Sequence, residues 1–100
     1  MIKETYTLKN GTKIPKLGLG TWFIDDDKAA AAVCTAVELG YRMIDTAQAY
    51  GNERGVGEGV RSCGLPREAL FVASKVAAEL KTYDEAARSI DETLARMGLS

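Results

Sequence analysis

In the first sixteen residues apolar and polar side chains alternate in "TYTLKNGTKIPK", on either side of Asn10-Gly11. Period-two alternation predicts a short β-hairpin ending near Pro15. Asn10-Gly11 is the pair that tolerates positive φ at both centres of a two-residue turn. The pattern then changes. "LGLGTW", "RMIDTA" and "LFVASK" are brief, nearly continuous apolar runs, as expected of parallel strands covered on both faces, and a helical segment follows each. The first helix is expected to start in Asp25-Asp26-Asp27, whose carboxylates suit free backbone amides and the positive end of the helix dipole. It should turn Ala30, Val33, Cys34 and Val37 inward and stop at Gly40. The second should begin at Asn52, with Val56, Val60 and Cys63 inward and Gly64 beyond its end. Gly55, Gly57 and Gly59 each cost it about 1 kcal/mol relative to alanine, so packing must support it. The third carries a capping box from Thr82 to Glu85, an apolar face of Ala86, Ile90, Leu94 and Met97, and a Schellman ending at Gly98-Leu99.

Strand starts near Leu17, Met43 and Leu70 lie 26 and 27 residues apart, so one βα unit recurs three times. The expectation is an α/β chain: a hairpin over 1–16, then three βα units over 17–100 with parallel strands, forming a single segment. Right-handed crossovers leave two outcomes, an open doubly wound sheet or an arc of a (βα)8 TIM barrel. A complete barrel needs about 250 residues, so this chain supplies at most three eighths of one.

A composition of 46% hydrophobic and 27% charged residues is that of an ordinary soluble globular chain. Thirteen basic and fourteen acidic residues give a net charge of -1, so no global field draws the chain toward nucleic acid or an anionic membrane. Charges within the N-terminal stretch "MIKETYTLKNG" argue against a secretory signal. No apolar run approaches the roughly 18 residues of a membrane span, and a cytoplasmic location is expected. Cys34 and Cys63 form no CxxC and the chain has no histidine, so no metal site or disulfide framework is signalled. Both thiols are expected to be buried and inert, the alternative being an exposed, oxidisable Cys63.

In either architecture, side chains at the carboxyl ends of the strands converge on a ligand crevice. This rule selects Thr21 and Trp22 after the first strand, Asp45 after the second and Lys75 after the third, with Tyr50 on the loop beyond Asp45. A free phenol, ionising at about pH 10, donates protons slowly at neutrality. A nearby ammonium stabilises the phenolate, and a carboxylate paired with that ammonium holds it in place. Tyr50 is thus a candidate general acid, with Lys75 tuning it and Asp45 as anchor. Each residue also has a structural reading: a strand-end aspartate caps turns, a tyrosine packs its ring, a lysine is solvated and a tryptophan fills core. Neither "GLGTWF" nor "GNERGVGEG" completes a nucleotide-binding glycine fingerprint.

The segments "GLGTW", "GYRMIDTAQAYGNE" and "ASK" make the chain resemble the N-terminal part of the aldo-keto reductase family, in its 2,5-diketo-D-gluconate reductase-like branch. The resemblance implies a partial (βα)8 barrel after an N-terminal hairpin, NADPH as cofactor and a small aldehyde or ketone as substrate. Asp45, Tyr50 and Lys75 match three members of the family's catalytic tetrad. Gly20, Thr21 and Trp22 match the segment beside the nicotinamide, which Asp45 also borders; Trp22 and Tyr50 face the substrate. The fourth member is a histidine after strand four, and this sequence has neither. The 100 residues alone are therefore expected to be inactive and to self-associate or pair with the missing part of a barrel through an uncovered sheet face. The alternative is a non-catalytic half-barrel assembly module.

Overall fold

A computed structural model describes residues 3–100; Met1 and Ile2, the start of the expected hairpin segment and of the stretch weighed as a signal, lie outside the described residues. Strands β1 (Thr5–Thr7) and β2 (Lys13–Pro15) form an antiparallel hairpin, with Tyr6 opposite Ile14. Strands β3 (Leu19–Gly20), β4 (Met43–Asp45) and β5 (Phe71–Ala73) make a separate parallel sheet in the order β3-β4-β5. Helices α1 (Asp26–Glu38), α2 (Glu53–Ser62) and α3 (Tyr83–Met97) follow the three parallel strands in turn.

Register and pleat divide the sheet into two faces. Leu19, Ile44 and Val72 lie opposite one another and pack with Val33, Val37, Val56 and Val60 into the core beneath the helices. Gly20, Asp45 and Ala73 form the next row, which points the other way. Helix α2 is held as its glycines demand. At Gly59 a Cβ would come 2.7 Å from the Val33 Cβ, so the bare backbone lets α2 lie directly on α1. Gly40 and Gly98 both have positive φ and end α1 and α3 in Schellman motifs: Tyr41 N–H donates to the Ala36 carbonyl and Leu99 N–H to the Leu94 carbonyl. Thr82 caps α3 by accepting from the Glu85 amide at 3.2 Å.

Several local expectations are corrected. The hairpin turn is not the two-residue type: Gly11 N–H donates to Leu8 O, Leu8 N–H to Thr12 O, and only Gly11 takes positive φ. This three-residue loop spares Asn10 a left-handed backbone and frees its side chain to accept from Thr12 N–H at 2.9 Å. The Asp25 side chain caps nothing. Asp26 instead reaches across to α2 and accepts from Gly55 N–H at 2.7 Å, because the Asn52 side chain at the start of that helix is bonded elsewhere. The buried face of α1 runs through Ala29, Val33, Ala36 and Val37, leaving Ala30 and Cys34 half-buried. Cys63 is half-buried too, so neither thiol is sealed. On α3 the buried positions are Ser89, Thr93 and Met97, while Ile90 is 50% exposed. The helix is rotated toward its polar seam because buried polar partners wait there.

Candidate functional site

The three strand ends bring their chemistry together for a geometric reason. Asp45 is opposite Ala73, and Lys75, two residues further along, leaves its strand on the same face. Its ammonium donates to Asp45 Oδ1 at 2.7 Å, to Asp45 Oδ2 at 2.8 Å and to the Thr46 carbonyl at 3.0 Å. A 3-10 turn over Gln48–Tyr50 then carries Tyr50 back across the site, so that the ammonium stands 5.3 Å from the centre of its ring. Burial pulls the Lys75 ammonium down, but the hydrogen bonds and charge of Asp45, with a smaller contribution from Tyr50, outweigh it. The group is held above the ordinary lysine range.

The nearby residues differ in exposure. Gly20 is open, and a Cβ there would meet nothing within 4 Å. Trp22 is 65% exposed and stacks on Phe23, which is 84% exposed, at 4.2 Å between ring centres. Phe23 takes a φ of 69°, a left-handed backbone rarely found outside glycine. Thr21, expected on the cofactor side, is fully buried. Its amide and hydroxyl both donate to the Asp45 carbonyl, at 3.1 and 2.9 Å, so it serves the site by holding the end of β4. A cavity of about 210 Å³ lies between β5 and α3; Lys75, Val72, Val76, Ile90, Leu94 and Met97 are among its lining residues, and Tyr50 and Trp22 are not.

A buried polar network beneath the site escaped the sequence reading. Asn52 donates to the Thr21 carbonyl at 2.8 Å and the Ile24 carbonyl at 3.0 Å, and accepts from the Thr46 hydroxyl at 2.7 Å. Glu53, only 2% exposed, accepts from Ser74 Oγ at 2.6 Å and from Arg96 Nη2 at 2.8 Å. Gln48 donates to Thr93 Oγ1 and the Ser89 carbonyl and accepts from Ala77 N–H. Polar residues at a helix start read as solvated caps, so nothing in the pattern marked these three. The available hint was that the glycine-rich α2 needed external support.

Comparison with known proteins agrees with the α/β fold. Residues 16–100 match the aldo/keto reductase family. Morphine 6-dehydrogenase of Pseudomonas putida is 45% identical over 92 residues, covering 92% of this chain and 31% of that protein. The solved aldo/keto reductase of Brucella melitensis superposes with a TM-score of 0.92 at 38% identity, over 96% of this chain and 37% of its own. A putative 2,5-diketo-D-gluconic acid reductase B gives 0.86 at 36% identity, covering 95% of this chain and 34% of its own. The Bombyx mori aldo-keto reductase, solved in complex with NADP, also gives 0.86, at 33% identity over 96% of this chain and 34% of its own. The chain thus spans about a third of the length of the proteins it matches. A family match over 85 residues, together with close superposition on solved members, assigns this chain to the aldo/keto reductase family.

Proposed function

We propose that these residues form the first three βα units of a (βα)8 barrel and the proton-transfer half of a carbonyl reductase active site. The observation that carries this reading is the meeting of Asp45, Lys75 and Tyr50 at neighbouring strand ends. The residues present fit the nicotinamide end of a dinucleotide: Gly20 is open, and the Gly20–Asp45–Ala73 row presents small side chains beside the acid. NADPH, when bound, supplies the hydride that reaches the carbonyl carbon. The Tyr50 hydroxyl then gives its proton to the carbonyl oxygen, leaving an alcohol and a phenolate that water reprotonates. Lys75 stabilises that phenolate, and Asp45 keeps the ammonium charged and aimed. Small aldehydes or ketones are the proposed substrates, with Trp22 as a wall beside them. A cytoplasmic location completes the proposal and suits two unpaired cysteines.

The 100 residues alone are expected to turn nothing over. Exchanged for the matching segment of a family member, they should support aldehyde-dependent NADPH oxidation, and Tyr50→Phe should lower it by about 10²- to 10⁴-fold. A chimera that stays active as Tyr50→Phe refutes the role of Tyr50. A second reading, the assembly module, draws on the edge positions of β3 and β5 among the described residues. Under both readings the chain by itself self-associates or pairs with the rest of a barrel. Sedimentation of a well-folded, dilute monomer would contradict that.

A further inference from the structure

We propose that Glu53 positions Lys75 through Ser74, an inference that rests on the reductase reading above. Glu53 belongs to none of the reacting groups, yet its carboxylate is buried and both of its oxygens are hydrogen-bonded. Oε2 accepts from Ser74 Oγ at 2.6 Å; Oε1 accepts from Arg96 Nε at 3.0 Å, Arg96 Nη2 at 2.8 Å and Thr93 Oγ1 at 3.4 Å. Only the carboxylate end of this pair is buried, Arg96 being about half exposed, and a buried carboxylate adds little stability over an apolar side chain of the same volume, so the gain from keeping one here is geometric.

Ser74 lies just past Ala73, the last residue of β5 in register with β4. Side chains alternate across a strand, so the direction in which Ser74 leaves determines the direction of Lys75. Holding the Ser74 hydroxyl on the helix side sends Lys75 to the opposite face, toward Asp45 and Tyr50. Gln48 completes the clamp: its amide donates to the Lys75 carbonyl at 3.1 Å and its side-chain oxygen accepts from Ala77 N–H at 2.8 Å. Glu53 is also three residues past Tyr50, so one buried carboxylate ties the segment bearing the phenol to the segment bearing the ammonium, with α3 as the anchor.

The Lys75 13Cε resonance, titrated in the labelled chain, reads this directly, since Asp45 and Tyr50 are the ionisable groups facing the ammonium. Ser74→Ala and Glu53→Ala should lower the Lys75 midpoint by about half a pH unit or more as the pair with Asp45 loosens. Ser74→Thr, which keeps the hydroxyl, should leave it in place. Arg54→Ala removes another ion pair from the same helix and should not move it. If Glu53→Ala fails to fold, the two Ser74 variants decide alone. An unmoved midpoint in Ser74→Ala, or an equal shift in Arg54→Ala, overturns the role of Glu53 and leaves the reductase reading standing. Loss of that reading in the Tyr50→Phe chimera leaves the Lys75 result unaffected.

Discussion

Asn52→Asp replaces the buried amide that joins the β3–α1 and β4–α2 connections with a carboxyl of nearly the same shape. The parent side chain is fully buried; its two N–H groups go to the Thr21 and Ile24 carbonyls and its oxygen receives the Thr46 hydroxyl. After the exchange the Thr46 bond survives, but a carboxylate oxygen faces two carbonyl oxygens that have lost their donors. Each unpaired carbonyl costs about 1–3 kcal/mol, and an uncompensated buried charge about 3–5 kcal/mol. The buried charge alone sets a floor, so we expect a destabilisation of at least about 3 kcal/mol near neutral pH. Taking up a proton removes the charge and restores one donor, so the new carboxyl has a folded-state pKa above the unfolded value of about 3.9. The benefit of protonation is complete below that unfolded value and is lost as pH rises through the folded one. The deficit should therefore shrink to about 1–3 kcal/mol near pH 4. Urea unfolding followed by far-ultraviolet circular dichroism, at fixed protein concentration and several pH values, measures it. A deficit below about 1 kcal/mol at neutrality, or one that does not change with pH, would refute the reasoning.

Two other perturbations test the frame around the site. Gly57→Ala gains about 1 kcal/mol of helix propensity, but its Cβ would overlap the Met97 carbonyl and backbone, which cannot yield as a side chain can. Overpacking of about 1–3 kcal/mol should prevail, so the thermal midpoint should fall; a rise would show that α2 and α3 are less tightly apposed. Asp26 is held below the usual carboxylate range first by the Arg54 hydrogen bond and then by the Gly55 amide, with burial opposing. Its contribution, small for so exposed a pair, is present above the unfolded value of about 3.9 and lost as pH falls through the folded one. The stability gap between the parent and Asp26→Asn should thus be constant near neutrality and narrow on acidification, as urea titrations at several pH values would show.

The sequence by itself determined the order of elements, the parallel strands and the chemistry at their ends. These rest on local rules: apolar runs of strand length, glycine stops, and the period of two that sends Asp45 and Lys75 to one face. Thr82 as a cap and Gly98 as a stop were legible for the same reason, since each acts within a few residues of itself. Only the tertiary structure decided which face α3 buries, where Asp26 spends its carboxylate, that Thr21 turns inward, and that Asn52, Glu53 and Gln48 knit the site together. A hydrophobic stripe records how much a helix gains from burial. The partners of a buried polar group lie on other elements, tens of residues away, and their positions exist only after the chain has packed.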